Sequence, residues 1–370
     1  MTARRSAPVA ALGLTWREAP TAVREVASAP LSAEDVAGLR AQGLHGLVEV
    51  HTCARSLWLL AADDPSWVGA LLQARLSARL IQAGCTASPE LRVGDLAVRY
   101  LLRVSIGLDS FVEGEADVGG QVLDGFQAAA ASAGVSADLQ SAWRAVVDLG
   151  AEARREGLVR PGRGMGHLAV DTLLRENVPL DSAVGVVGHG RIAKQVCASL
   201  GRAGFPAPKV YNRTPSEAVH PLSAIPAAKH EGWVICSAAS EPWFVPPAGA
   251  RVVVDLGRPG QVIGRAIDLD ALLGGFGLRM RDEARERADA LVDAAVEHWR
   301  TRQRIHASHR VLARVQALRD EFVHDRVPEL MAEVLDGMDA PTRKRMIAAA
   351  QQAVRRYSHE VLGALKETVG

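Results

Sequence analysis

One short segment limits the fold of this chain more than any other. It is Gly188-His189-Gly190-Arg191-Ile192-Ala193, placed directly after the apolar run Val184-Gly185-Val186-Val187. A strand that ends on a glycine and re-enters as a helix needs a tight turn, which the first glycine permits. The second glycine lets the backbone approach a pyrophosphate resting on the helix N-terminus. The G-x-G-x-x-A spacing is weak alone and strong in this strand-turn-helix context. Three further apolar runs, Lys209-Val210-Tyr211, Trp233-Val234-Ile235 and Val252-Val253-Val254, read as buried parallel strands. Residues 183–262 are therefore predicted to form a doubly wound α/β (Rossmann) domain.

The second strand of that domain closes on Tyr211-Asn212-Arg213-Thr214. A site for NAD carries an acidic side chain there, which holds the ribose 2′-hydroxyl; an arginine accommodates a 2′-phosphate instead. The expected cofactor is NADPH. Its predicted binding set is Gly188, Gly190, Arg191, Ile192, Asn212, Arg213 and Thr214. His189 reads as a variable position of the loop.

The rest of the 370-residue chain is long enough for one or two more domains. Residues 9–60 read as strand, helix, strand, with Ser32 capping a helix whose first turn holds Glu34 and Asp35. Residues 65–106 read as mostly helical, and a second helical region runs to about residue 157 with a turn near 133–136. Gly157-Leu158-Val159-Arg160-Pro161-Gly162-Arg163-Gly164 has the glycine and proline content of a linker, and a helix from His167 to Arg175 follows it. From Arg279 onward the pattern is helical to roughly residue 325. Asp339-Ala340-Pro341-Thr342 interrupts it and a last helix follows. A helix this long cannot bury its apolar stripe against itself, so it predicts a partner helix or a second copy.

Composition excludes several classes. The formal net charge is +1, so bulk attraction to nucleic acid is not implied and any such contact needs a local patch. The four cysteines, Cys53, Cys85, Cys197 and Cys236, lack metal-ligand spacing. They predict neither a metal centre nor a disulfide framework, which suits a reducing cytoplasm. No run of about 18 apolar residues predicts a membrane span.

Cys53 stands apart from the other three. The run His51-Thr52-Cys53-Ala54-Arg55 follows the apolar stretch Gly46–Val50 and precedes Leu57-Trp58-Leu59-Leu60. A thiol at the end of a buried strand, with a cation two residues on, has the setting of a nucleophile, because a nearby positive charge favours the thiolate. Residues two apart on a strand share a face, so His51 is a candidate base beside Cys53. A packed or exposed histidine is the alternative.

Four segments, in order, resemble one family, glutamyl-tRNA reductase. Gly13-Leu14-Thr15-Trp16-Arg17-Glu18-Ala19-Pro20 with Val23-Arg24-Glu25 is similar to the family's G-L-N-H-K-T-A-P…V-R-E. Thr52-Cys53-Ala54-Arg55 is similar to its T-C-N-R. Gly107-Leu108-Asp109-Ser110-Phe111-Val112-Glu113-Gly114-Glu115, continuing to Gly120-Gln121-Val122, is similar to G-L-D-S-x-x-x-G-E…G-Q-V. The glycine loop with Asn212-Arg213-Thr214 is the fourth. Together with the C-terminal helices, the likeness covers nearly the whole chain.

The resemblance implies an α+β catalytic domain over 1–157 and a Rossmann NADP-binding domain over 158–278. A long spinal helix and helical dimerisation domain would follow over 279–370. It implies NADPH-dependent reduction of glutamyl-tRNA to glutamate-1-semialdehyde through a thioester on Cys53, the first step of 5-aminolevulinate and tetrapyrrole synthesis. Arg55 would hold the substrate carboxylate, with Thr52, Ser110, Glu115 and Gln121 also binding substrate. The implied partners are aminoacyl-tRNA, a second copy through the C-terminal helices, and a downstream aminomutase.

Departures from the family pattern cluster at this site. The asparagine after the cysteine is Ala54, the glutamate ending that motif is Leu57, the asparagine-histidine pair is Thr15-Trp16, and the threonine before Ala-Pro is Glu18. The histidine ahead of the G-L-D-S segment is Tyr100, and paired serines after the linker are Gly166-His167. The readings left open are glutamyl-tRNA reduction, a reductase of another aminoacyl-tRNA or carrier-bound acyl group, and a regulatory or binding homologue without catalysis.

Overall fold

The structure is a computed structural model that describes residues 9–52, 54–132, 134–160, 162, 164–275 and 279–369. Side chains are described throughout except at 275, 306–313 and 362–369. By contacts the described chain forms two compact units, 1–299 and 300–370.

In the first unit, β1 (Val9–Thr15) is followed by α1 (Thr21–Ala27), α2 (Ala33–Ala41), β2 (Leu44–His51) and β3 (Arg55–Ala62). Ser32 accepts from Asp35 N, and the Asp35 side chain returns the bond, so the expected cap is a complete capping box. Next come α3 (Pro65–Gln82), β4 (Glu90–Val93), α4 (Asp95–Ser105), α5 (Asp117–Ala131) and α6 (Ala137–Arg155). Residues 65–106 are mostly helical, as expected, with the short strand β4 between α3 and α4. Its four residues are too few to show a period, and pairing with β1 stabilises it. The strands form an antiparallel sheet in the order β2-β3-β1-β4.

Both faces of that sheet are covered, so β3 is buried along its whole length. Ala10, Leu12, Leu14, Trp58 and Leu60 point to one side, against Leu72 and Leu76 of α3. Val9, Ala11, Val48, Val50, Leu57 and Leu59 point to the other, against α4, α5 and α6. This alternation decides which side chains can meet at the end of β2 and β3.

After α7 (Met165–Arg175) the second sheet begins. It comprises β5 (Val184–Val187), β6 (Lys209–Asn212), β7 (His220–Pro221), β8 (Gly232–Ile235) and β9 (Val252–Asp255), all parallel, in the order β7-β6-β5-β8-β9. Only one of the crossovers between these strands, from β5 to β6, is an α-helix, α8 (Arg191–Ala203). Between β8 and β9 the chain runs as a loop carrying Pro242, Pro246 and Pro247, residues that lack the N–H a helix interior requires. A short helix, α9 (Leu269–Gly275), follows β9.

The helix α10 (Asp282–Glu321) starts in the first unit, where Ala288, Val292, Val296 and Trp299 join the core under the first sheet. It ends in a π-helical turn at Phe322–Arg326. In the second unit, α11 (Val327–Val334) and α12 (Ala340–Val369) follow. The break precedes Ala340, so the expected interruption at 339–342 becomes the first turn of α12. Pro341 is tolerated there because first-turn N–H groups have no intrahelical partner. No helix among the described residues is long and apolar enough to cross a membrane.

Candidate active site

The turn from β2 to β3 is braced by Thr52. Its N–H donates to the Arg55 carbonyl at 2.8 Å. Its Oγ1 accepts from Ala54 N at 3.2 Å and Arg55 N at 3.1 Å. The Ala54 carbonyl accepts from Trp16 N at 2.9 Å, which ties the turn to the end of β1. Cys53 itself lies outside the described residues.

Arg55 follows the turn and is 0% exposed. One guanidinium nitrogen, Nη2, donates to the Asp109 carbonyl. Nε and Nη1 have no hydrogen-bond partner among the described residues. Buried donors left unmatched cost free energy, more so on a charged group. Arg55 shares its sheet face with Leu57, and Gly13 is the cross-strand neighbour of Leu57. The Tyr100 phenol lies over Gly13, its ring capped by the Arg92 guanidinium at 4.1 Å. The Tyr100 hydroxyl is also buried without a hydrogen-bond partner among the described residues. Burial raises its pKa above the usual value, while the charges of Arg55 and Arg92 act against the shift. It is a neutral donor.

Two more buried donors belong to the same end of the sheet. Trp16 Nε1 and Ser110 Oγ have no hydrogen-bond partner among the described residues, and the Trp16 ring meets Phe111 edge-on at 5.2 Å. Ser110 is close enough to the Glu115 carboxyl to favour its charged form. Burial wins, helped by the charge of Asp117, and raises Glu115 to about 7 even though Arg55 opposes it. Arg55, Ser110 and Glu115, expected from sequence, are thus brought together. Gln121 lies one turn along α5, half-buried, and makes no hydrogen bond to this group.

Val48 and Val50 face the Arg55 side of the sheet, so His51 faces the other. There it packs edge-on against Trp58 at 5.4 Å. Burial, with the Arg258 charge adding to it, lowers its pKa to about 4. His51 thus lies on the opposite face from Arg55, and Cys53, the residue its expected role concerns, lies outside the described residues.

At the glycine loop, Gly188 has φ +110° and a Cβ there would meet the Cys236 carbonyl oxygen at 2.8 Å. Only glycine fits both demands. Its N–H donates to the Tyr211 carbonyl at 2.8 Å, joining the loop to the end of β6. Gly190 begins α8 with no side-chain cap, which leaves first-turn N–H groups for an anion. A depression beside it is lined by His189, Gly190, Arg191, Lys194, Gln195 and Ala198. Ile192 is partly buried against the domain core. Asn212 is half-buried, and Arg213 and Thr214 are exposed at the end of β6.

The two regions meet within the first unit. Ala54 and Phe111 share an apolar cluster with Met165, Leu168 and Ile192. Gln195 Nε2 donates to Asp117 Oδ1 at 2.8 Å, and Thr21 Oγ1 donates to Asp270 Oδ1 at 2.7 Å. Arg258, on the loop after β9, donates from Nη1 to the Thr52 carbonyl at 2.5 Å. Sequence reasoning missed Arg258, Asp117 and Asp270. The usable signal for Arg258 was its place just past the carboxyl end of a parallel strand, where such sheets bind ligands.

Among solved structures, a glutamyl-tRNA reductase from Methanopyrus kandleri aligns with a TM-score of 0.49 at 22% identity, covering 98% of this chain and 99% of that chain. The sequence comparisons are more direct. Residues 12–157 match the family model for the glutamyl-tRNAGlu reductase N-terminal domain. A glutamyl-tRNA reductase from Myxococcus xanthus is 27% identical over 96% of this chain and 88% of its own length. One from Halobacterium salinarum is 28% identical over 71% of this chain and 70% of its own. These matches span the sheet that carries Arg55 and extend into the glycine-loop domain, and over them the chain is similar to glutamyl-tRNA reductases.

Proposed function

We propose that this protein reduces glutamyl-tRNA to glutamate-1-semialdehyde with NADPH, through a thioester on Cys53. The observation that carries this reading is the Arg55 guanidinium, fully buried with two of its nitrogens, Nε and Nη1, unmatched among the described residues. Such a group awaits a carboxylate, and the glutamate side chain is one.

In this reading Arg55 grips the substrate carboxylate, and Thr52, Ser110, Glu115 and Gln121 complete the binding set. The neutral Tyr100 hydroxyl adds a donor on the same face. The Cys53 thiolate attacks the aminoacyl ester carbonyl, and the tRNA 3′-oxygen leaves and takes up a proton. The thioester accepts hydride to give a hemithioacetal, which expels the thiolate and yields the aldehyde. A thiol suits both steps because it attacks readily and leaves readily. His51 takes no part.

The glycine loop fits the cofactor. Gly188 has no room for a side chain, α8 is uncapped, and Arg213 stands exposed where a 2′-phosphate would lie. Gly190, Arg191 and Ile192 would meet the pyrophosphate, with Asn212, Arg213 and Thr214 at the ribose. The bound cofactor supplies the hydride.

The proposed division of labour is a substrate region over 1–157, a cofactor region over 158–278 and a helical region over 279–370. Two copies would pair through the C-terminal helices, where Leu330, Val334, Met346 and Tyr357 are exposed. The setting is the cytoplasm, with a downstream aminomutase as the receiver of the reactive aldehyde.

A binding homologue without turnover is favoured by one feature: Arg55 and Tyr100 are both shut away from solvent. Purified protein given NADPH and a panel of aminoacyl-tRNAs separates the readings. Aldehyde from glutamyl-tRNA that vanishes in Cys53→Ser supports the reductase. NADPH binding without turnover of any aminoacyl-tRNA rejects it.

A further inference from the structure

Arg103, on α4, is held by two carboxylates from different parts of the chain. Its Nε donates to Asp109 Oδ1 at 3.2 Å and to Oδ2 at 3.1 Å, and its Nη2 donates to Oδ1 at 3.0 Å. Its Nη1 donates to Asp289 Oδ1 on α10. Asp289 lies 186 positions away in sequence, so only the tertiary fold makes this contact. With Nε, Nη1 and Nη2 all engaged by charged partners, the guanidinium is fixed in one orientation.

What Arg103 fixes in turn is the segment just past α4. Its backbone carbonyl accepts from Leu108 N at 2.9 Å, and the Gly107 carbonyl accepts from Ser110 N at 3.2 Å and Gly114 N at 3.1 Å. Backbone and side chain of Arg103 therefore clamp the same turn. Asp109 gives its carboxylate to Arg103 and its carbonyl to Arg55 Nη2. Among the described residues that carbonyl is the one hydrogen-bond partner of the buried Arg55 guanidinium. A shift of Asp109 moves or releases Arg55. The row Asp289, Arg103, Asp109, Arg55 also alternates in charge, which lowers the cost of keeping Arg55 buried.

The other end of the row is anchored by packing. Ala288 and Val292 of α10 are 0% exposed in the core under the first sheet, and they set the rotation of the helix about its axis. Asp289 and Asp293 each follow one of these positions. They pair with Arg103 and Arg99, which lie one turn apart on α4. Only the Arg103 pair continues to Asp109.

We propose that Asp289 is a positioning residue: through Arg103 and the Asp109 carbonyl, it aims the Arg55 guanidinium at the substrate carboxylate. This rests on the reading in which Arg55 grips that carboxylate. The long helix α10 then takes part in substrate selection as well as in the core.

The test compares Asp289→Asn with Asp293→Asn in the full chain. Asparagine keeps the shape at both places and removes the charge. Each variant weakens one ion pair between α4 and α10, so a role confined to helix packing affects both alike. Asp289→Asn is expected to raise KM for glutamyl-tRNA about tenfold and leave kcat within about twofold, because the grip on substrate is lost and the chemistry is kept. Asp293→Asn stays within about twofold in both constants. Asp289→Glu restores KM to within about threefold. In an Arg55→Met background, Asp289→Asn changes kcat/KM by less than about twofold, because no guanidinium is left to aim. An unchanged KM in Asp289→Asn overturns the proposal. So do equal rises in Asp289→Asn and Asp293→Asn, or an effect that persists in Arg55→Met. If Asp289→Asn does not fold, Arg103→Lys decides by the same criteria, since lysine keeps the charge and loses the fork.

Binding supplies a readout that needs no turnover: the ratio of affinities for glutamyl-tRNA and uncharged tRNA, measured by fluorescence anisotropy. Absence of aldehyde rejects the reductase reading, and this ratio then decides the positioning role. A fall of about tenfold in Asp289→Asn and not in Asp293→Asn supports it. An unchanged ratio overturns it, as does a chain that never prefers glutamyl-tRNA.

Discussion

A Cβ placed on Gly13 would come within 2.5 Å of the Tyr100 hydroxyl oxygen. The strand therefore needs a glycine wherever the tyrosine is present, and the tyrosine occupies the face that Arg55 shares. Gly13→Ala is expected to destabilise the protein by about 1–3 kcal/mol through overpacking. Tyr100→Phe removes a buried hydroxyl that has no hydrogen-bond partner among the described residues and should raise stability by about 1 kcal/mol. Denaturant midpoints measure both, and a loss of stability in Tyr100→Phe would show that the hydroxyl is bonded.

Arg55 separates stability from function. Replacing a buried, half-satisfied charge with an apolar side chain of similar length is often neutral or stabilising by about 1–4 kcal/mol. Arg55→Met should therefore keep or raise the unfolding midpoint. The same change should lower kcat/KM for glutamyl-tRNA by about 10²–10³, the effect of losing a desolvated charge pair. A variant that unfolds readily yet keeps its turnover contradicts the assignment.

Glu115 and His51 give opposite pH slopes. Glu115 is raised from 4.5 to about 7, so the folded state holds its proton more tightly. That contribution is fully present below about pH 4.5 and is lost as pH rises towards 7. His51 is lowered from 6.5 to about 4, so its contribution is present above 6.5 and is lost as pH falls towards 4. Each is on the order of 3 kcal/mol at most, and the two oppose each other over much of the same range. Unfolding free energies across that range should decline more steeply with rising pH in His51→Asn, and less steeply in Glu115→Gln. Parallel curves for all three proteins would count against both shifts.

Arg213 is exposed at the end of β6, beside the glycine turn. Arg213→Ala should weaken NADPH about tenfold or more while leaving NADH nearly unchanged, since only the 2′-phosphate loses a partner. Fluorescence titration of the two cofactors measures the ratio, and an equal loss for both would remove Arg213 from the site.

Much of the architecture was legible in local pattern. The strand, glycine turn and helix at 184–203 follow from residues that allow little else: an apolar run, a glycine with φ +110° and an uncapped helix start. The Ser32 cap is equally local. Strand β4 was not legible, because four residues carry no period and its partner β1 lies about 80 residues earlier in sequence. Between β8 and β9 a proline-bearing loop stands where α/β units usually carry a helix.

The site divides the same way. The sequence by itself determined the residue types: Cys53 at the end of an apolar run, Arg55 two residues on, and Arg213 without an acidic neighbour. Only the tertiary structure decided what surrounds them. It buried Arg55 with two nitrogens unmatched among the described residues, raised Glu115, turned His51 towards Trp58 and brought Arg258 across to Thr52. Local structure follows from backbone sterics and short-range periodicity. Burial, local dielectric and long-range charge depend on segments that meet only after the chain has folded.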